Sequence, residues 1–66
     1  MLYRFYNIKA ENAECEEMVV DKEYILDVPD HDTSSAIERQ EHIGKMLDII
    51  TAASGMNVYS FSSDLY

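Results

Sequence analysis

The strongest constraint on the fold is one helical segment in the second half of the chain, which has capping residues at both ends. Ser35 and Glu38 have the spacing of a capping box, in which each side chain satisfies the other residue's backbone N–H. Gly55 stands where a residue in the left-handed conformation commonly ends a helix. The sequence therefore predicts one long helix over residues 34 to 54.

The predicted helix is amphipathic. Its apolar stripe consists of Ala36, Ile43, Leu47 and Ile50, with Met46 and Ala53 at the border. Glu38, Glu41, Lys45 and Asp48 fall on the opposite, solvated side. His42 is predicted to be a surface neighbour of Glu38, and His31 a solvated loop residue. A helix with one apolar stripe needs a second layer of structure to cover that stripe.

The segments outside the helix favour β-strands. Residues 2 to 9 are aromatic and β-prone, and residues 58 to 62 alternate after the helix. In the first strand a period of two places Leu2, Arg4, Tyr6 and Ile8 on one face, and Tyr3, Phe5, Asn7 and Lys9 on the other. The sequence predicts a single α+β domain spanning residues 1–66, a small antiparallel sheet of three or four strands with one long helix packed on one face, in the order β-β-(β)-α-β.

Two segments between the first strand and the helix have alternative interpretations. Asn12 could cap a short helix, although a loop that leads into an edge strand is favoured for residues 10 to 20. Val19-Val20 and Tyr24-Ile25-Leu26 flank the charged triplet at 21 to 23. They indicate either a hairpin or one long bent strand, which ends at Pro29.

The charge of the chain is concentrated in residues 11 to 32. The whole chain has a net charge of −8, and this segment alone carries that charge, because nine carboxylates face one base, Lys22. Acids and bases balance in the rest of the chain. Repulsion within such a patch lowers the stability of a compact chain unless the patch has another use. The pattern therefore indicates a binding surface for a basic partner.

Composition argues against several other classes of function. Cys15 is the only cysteine, so neither a thiolate zinc cluster nor a redox pair can form, and a reducing cytoplasm is the expected compartment. Two isolated glycines provide no phosphate-binding loop. An acidic surface is repelled by nucleic acid and by anionic lipid. We therefore expect no catalysis, no cofactor, no direct contact with nucleic acid and no membrane association.

The candidate partner-binding residues are the acids of this segment together with one aromatic anchor: Glu11, Glu14, Glu16, Glu17, Asp21, Glu23, Tyr24 and Asp27. Asp30 and Asp32 are assigned instead to the positive end of the helix. In size, charge and α+β build the chain resembles the small inhibitors that bacteriophages and mobile elements use against host nucleic-acid machinery, such as anti-CRISPR and DNA-mimic proteins. This resemblance implies a cytoplasmic inhibitor that occupies a basic nucleic-acid-binding surface of a host defence protein.

Two other hypotheses stay open. The five tyrosines and two phenylalanines exceed what a thin core can bury. An antitoxin-like or regulatory module could therefore bind a partner, or a second copy in a homodimer, through exposed aromatic sheet surface. Residues 30 to 41 also resemble an EF-hand calcium loop at Asp30, Asp32, Ser34, Ile37 and Glu41. That loop, however, has Ser35 where the EF-hand requires glycine.

Overall fold

The structure is a computed structural model that describes residues 1–66. It contains four strands and one helix: β1 Leu2–Glu11, β2 Glu17–Val20, β3 Tyr24–Asp27, α1 Ala36–Ser54 and β4 Asn57–Leu65. The strands form one antiparallel sheet, and the helix packs against one face of it. The predicted α+β fold and the order β-β-β-α-β are confirmed.

β1 is the centre of the sheet and pairs with all three other strands. β4 runs along one side of it, from Tyr3↔Leu65 to Glu11↔Asn57. On the other side, β2 pairs with the second half of β1 and β3 pairs with the first half. One edge of the sheet is therefore a single long strand, whereas the other is made of two short strands placed end to end.

The segment from residue 17 to residue 27 is one long bent strand and not a hairpin, because β2 and β3 both pair with β1 and not with each other. The bend falls at Asp21-Lys22-Glu23. Three residues there stand opposite only two, Tyr6 and Asn7, between the pairs Ile8↔Val20 and Phe5↔Tyr24. This mismatch is the signature of a β-bulge, which bends a strand and interrupts its pairing.

A second bulge, in β1 itself, corrects the prediction for the two faces of that strand: between the pairs Tyr6↔Ser62 and Lys9↔Ser60, Asn7 and Ile8 stand opposite Phe61 alone. Asn7 adopts the left-handed conformation, with φ 49°, and strict alternation stops at this residue. Phe5 and Ile8, predicted on opposite faces, are both fully buried in the same core. The period of two holds on each side of Asn7 but changes phase across it, and asparagine tolerates this backbone conformation better than most residues do.

The helix begins and ends where the capping residues predicted, within two residues at its start. The Ser35 hydroxyl accepts a hydrogen bond from the Glu38 N–H at 3.1 Å. No bond from the Glu38 side chain back to Ser35 is present, so only half of the capping box forms. Gly55 has φ 69°, and its N–H donates to the Thr51 carbonyl.

The buried face of the helix is rotated relative to the predicted stripe. Met46 and Ile50 are buried and Ile49 packs against them, whereas Ala36 is exposed and Ile43 is 53% exposed. The prediction of Ile50 is thus confirmed, and those of Ala36 and Ile43 are wrong. His42 meets the Tyr3 ring of β1, and Leu47 packs against the core, so the contact line of the helix runs through residues 42, 46, 47, 49 and 50.

The core is thin, as the length of the chain requires. Its largest fully buried side chains are Phe5, Ile8, Ile50 and Val28. Phe61 packs on Phe5, with ring centroids 5.5 Å apart, and Tyr3 and Tyr24 border the core. Tyr59 and Tyr66 are exposed, so the expectation that the core cannot bury every aromatic residue is confirmed.

Candidate binding surface along the acidic edge of the sheet

The predicted binding residues lie along one side of the molecule. We call this surface the acidic edge, and define it as the β1–β2 turn, β2, the bend and β3, with its carboxylates Glu11, Glu14, Glu16, Glu17, Asp21, Glu23 and Asp27. Residues 17 to 27 run in one direction over roughly 35 Å at ~3.3 Å per residue. The carboxylates therefore form an extended row, with the densest group at the turn.

Asn12 organises the β1–β2 turn. Its side-chain oxygen accepts hydrogen bonds from the Glu14 and Glu16 N–H groups, both at 2.9 Å. The Asn12 N–H donates to the Glu16 carbonyl, and the turn passes through Cys15 in the left-handed conformation. Asn12 therefore caps a turn and not a helix, as favoured for this segment. The effect is to hold two glutamates on a short, exposed loop.

Glu11, the last residue of β1, and Glu17, the first residue of β2, stand directly opposite each other on either side of the β1–β2 turn. The bond from Asn12 to Glu16 makes the neighbouring pair a hydrogen-bonded one, so Glu11 and Glu17 form a non-hydrogen-bonded pair, the class with the closer side chains. Like charges at such a position destabilise a sheet. Together with Glu14 and Glu16, this pair concentrates four carboxylates at one end of the molecule, and we call this group the turn cluster.

The pKa of Tyr59 reflects the negative charge of the turn cluster. It lies on the neighbouring strand β4, and the pKa of its hydroxyl is raised. The largest cause is partial loss of solvent around the phenol, followed by the Glu17 carboxylate and then by the charge of Glu11. A further negative charge, that of an ionised Tyr59, is thus disfavoured beside the turn cluster.

A few cations partly neutralise the acidic edge. Lys9 Nζ lies 3.7 Å from Glu17 Oε1, and Arg4 Nη1 lies 3.6 Å from Glu23 Oε1. Arg4 is shared, since its closer contact is to Asp64 at 3.0 Å. The amino group of Met1 lies 3.0 Å from Asp27. These pairs are exposed and individually weak.

The remaining acids of the edge, Glu11, Glu14, Glu16 and Asp21, have no ion pair within 4.0 Å. Three of these four are in the turn cluster. The unneutralised charge of the acidic edge is therefore greatest at the turn and lower at β3, where Asp27 has a partner.

Tyr24 does not stand beside the exposed carboxylates. Its ring borders the core on the helix side of the sheet, and Lys22 Nζ lies 4.9 Å above it. Two exposed apolar side chains do accompany the acids: Val19 in β2, which is 73% exposed, and Ile25 in β3, which is 44% exposed. At the bend, a depression of about 400 Å³ is bordered by Tyr6, Asn7 and residues 19 to 23.

Two histidines that the sequence analysis placed in solvent form a stacked pair. The rings of His31 and His42 are nearly parallel, with an interplanar angle of 5° and centroids 5.6 Å apart, and Tyr3 meets His42 edge-on. His31 Nε2 lies 3.8 Å from the Glu41 carboxylate, which is too long for a hydrogen bond. The two residues are eleven positions apart in a loop and a helix, so no local spacing in the sequence indicates that they stack.

The residues of the calcium-loop resemblance do not converge. Asp30 lies 3.7 Å from the Met1 amino group, Asp32 accepts a hydrogen bond from the Ser34 N–H, and Glu41 approaches His31. The Ser34 N–H is also the main reason why the pKa of Asp32 is lowered. No group of three or more His, Cys, Asp or Glu side chains is arranged to hold a metal ion.

Comparison of the chain with protein-family models, with curated proteins and with solved structures gives no match. The single helix lacks the length and apolar character needed to cross a bilayer.

Proposed function

We propose that the chain is a non-catalytic binding protein that uses the acidic edge to occupy a basic surface on another protein, a surface that normally binds nucleic acid. The chain is then an inhibitor of the anti-CRISPR or DNA-mimic kind from a phage or mobile element, the setting that its resemblance to such inhibitors implies. It acts stoichiometrically, by covering the partner's phosphate-binding groups, and it does so without a cofactor.

The observation that carries the proposal is the cross-strand pair of Glu11 and Glu17. A chain selected only for stability would place a lysine at one of these two positions, because opposite charges there stabilise a sheet and like charges destabilise it. Asn12 adds Glu14 and Glu16 to the same region through its two hydrogen bonds. Local order is thus used to bring like charges together, which favours an external partner for them.

The spacing of the charges supports a mimic of nucleic acid. The seven carboxylates of the acidic edge are distributed over roughly 35 Å, or one charge per about 5 Å. A single DNA strand carries one charge per about 3.4 Å. A groove lined with lysine and arginine for phosphates can therefore accept this row of carboxylates.

Charge neutralisation of the turn cluster tests the proposal. The chain and the variant Glu11→Gln/Glu14→Gln/Glu16→Gln/Glu17→Gln are immobilised in parallel and incubated with lysate of a candidate host, then washed at increasing salt. Proteins held by the chain and lost from the variant are purified. Their binding to a labelled DNA or RNA duplex is then measured with and without the chain.

The expected result is a nucleic-acid-binding protein that dissociates as salt rises and that loses its nucleic acid when the chain is added. Steep salt dependence follows because the exposed charges are screened within about 8–10 Å at moderate ionic strength. Retention of the same proteins by the chain and the variant, or an affinity that stays flat with salt, would show the proposal to be wrong. Glu41→Gln/Asp48→Asn is the control, because it removes two charges from the helix and none from the acidic edge.

A further inference from the structure

β4 is the edge strand on the other side of β1, and backbone N–H and C=O groups along its solvent-facing side are unpaired. Tyr66 N–H donates to the Leu2 carbonyl, so alternate residues of β4, Ser62 and Asp64, direct their backbone groups towards β1. The backbone groups of the intervening residues Phe61, Ser63 and Leu65 point away from β1. β4 has no second neighbouring strand in the sheet. The outward N–H and C=O groups of these three residues make no backbone hydrogen bond in a turn, loop or cap either.

This β4 edge has few of the features that protect an edge strand from pairing. It is nine residues long and contains no proline and no lysine, and Asp64 is its only charge. Short strands, bulges and charged side chains normally prevent edge-to-edge contact. The acidic edge has all three, whereas the β4 edge has one bulge near its start, at Tyr59, and a single charged side chain.

An apolar groove adjoins the β4 edge on the helix side. It has a volume of about 350 Å³ and lies between α1 and β4, with Ile43, Leu47 and Phe61 among its lining residues. Ile43 is 53% exposed and Leu65, at the end of β4, is 60% exposed. Unpaired backbone and uncovered apolar side chains thus occur side by side.

We infer that the β4 edge binds a second copy of this chain, with the two β4 strands antiparallel and related by a two-fold axis at Ser63. This register pairs Phe61 with the second copy's Leu65 and sets Ser62 opposite its Asp64. Displacing one strand by two residues, so that the axis falls at Asp64, would set the two Asp64 carboxylates against each other, which is destabilising. The two helices lie on the same face of the joined sheet, where each brings its Ile43 to the groove beside the axis.

The distribution of charge favours a second copy as the occupant despite the charge of −8 on each chain. In the joined sheet the two acidic edges are the outermost strands, separated by five strand spacings or about 24 Å. This distance is well beyond the screening length of about 8–10 Å at moderate ionic strength. Concentrating the acids on one edge therefore leaves the other edge free to self-associate.

Proline substitution on each edge tests the inference. Ser63→Pro removes an N–H that points away from β1, so it removes a donor to the second copy and none to the existing sheet. Val19→Pro is the matched control, because the Val19 N–H points away from β1 on the acidic edge. Sedimentation velocity from about 1 µM to about 1 mM should take the parent chain from 7.6 kDa towards twice that mass, and Val19→Pro likewise. Ser63→Pro should remain at 7.6 kDa.

Cross-linking keeps the inference testable if a proline variant fails to fold. In a background with Cys15→Ser, Ser63→Cys places two thiols at the two-fold axis, where paired Cα atoms are about 5.5 Å apart, within the range a disulfide spans. Ser63→Cys should give a disulfide-linked dimer on mild oxidation, and Val19→Cys should not. A parent chain that stays monomeric at 1 mM, or equal cross-linking of the two variants, would overturn the inference. Either result leaves the proposal for the acidic edge untouched, because that proposal needs only one copy.

Discussion

The two edges of the sheet pair with the same central strand and differ in nearly everything else. The acidic edge is divided into two four-residue strands by a bulge, and it carries seven carboxylates. The β4 edge runs for nine residues with a single charge. The first is protected from pairing with another strand and the second is not. The difference indicates two separate modes of contact, through charge on one edge and through backbone pairing on the other.

The comparison also separates stability from binding. The core lies between α1 and the sheet, and its buried members are all apolar. None of the seven carboxylates of the acidic edge is buried, and two of them, Glu11 and Glu17, form an unfavourable pair. Folding therefore depends on the apolar side chains, and the acidic edge is tolerated by the fold without supporting it.

The largest expected effect is from Ile50, which supports both edges through the core. Ile50→Ala should lower the free energy of unfolding by about 2–5 kcal/mol, because it leaves a cavity at a fully buried site. Urea denaturation measures the change. Ile43→Ala removes the same atoms from an exposed site of the same helix, and we expect a loss below about 1 kcal/mol. Equal losses would mean that the buried face of the helix is wrongly placed.

Substitution of Asn7 tests the bulge in β1, the central strand that both edges share. Asn7→Val should lower the free energy of unfolding by about 1–2 kcal/mol, because a β-branched residue is strained at φ 49°. Asn7→Gly should be close to neutral, since glycine adopts this conformation readily. Thermal or urea unfolding of the two variants distinguishes them. If valine is tolerated as well as glycine, β1 has no bulge at this position.

The bulge in β1 is also the part of the fold that the sequence did not predict. Propensity and alternation located β1, and the caps located α1, because these signals are local. A change of phase at Asn7 leaves only a weak local signal, since asparagine is uncommon in strands but does not by itself show that the alternation changes phase. The joining of β2 and β3 along one side of β1, and the stacking of His31 on His42, depend on contacts between distant residues.

The position of the acids that form the candidate site was predictable, because it follows from the sequence itself. The concentration of acids in residues 11 to 32 is a property of the sequence, and the structure keeps most of those acids on one edge. Pairing within that edge was not predictable, because the partners Arg4 and Lys9 come from β1. The orientation of Tyr24 towards the core depends on its pairing with Phe5 on the helix side of the sheet.

Asn12 tests the order of the turn cluster. Asn12→Ala removes the acceptor of two hydrogen bonds. It should lower the free energy of unfolding by only about 1 kcal/mol for the two bonds together, because the turn is exposed to solvent. Hydrogen exchange should become faster at the Glu14 and Glu16 amides. Asn57→Ala, at the exposed start of β4, is the control and should leave those two amides unchanged. Unchanged exchange in Asn12→Ala would mean that the Asn12 side chain does not order the turn.

The smallest effect is expected in the titration of Tyr59. Its pKa is raised in the folded chain, so the folded state holds the phenolic proton more tightly than the unfolded state does. Stability should therefore fall as pH rises from about 10 towards the folded pKa. Absorbance near 295 nm, compared between the parent chain and Tyr59→Phe, identifies this tyrosine. Glu17→Gln should lower its pKa, and a Tyr59 that ionises at its ordinary pKa would contradict the proposed field of the turn cluster.

The central claim is that the acids of the turn cluster serve a partner at a cost to the fold. Its most direct test is the free energy of unfolding of Glu11→Gln/Glu17→Gln, measured by urea denaturation at low and high salt beside the control Glu41→Gln/Asp48→Asn. We predict that the turn variant is more stable than the parent at low salt, by roughly 0.2–1 kcal/mol, and that added salt removes the difference. The control should be no more stable than the parent, because Glu41 stands four residues before Lys45 in a favourable order. A turn variant less stable than the parent at low salt would contradict the claim.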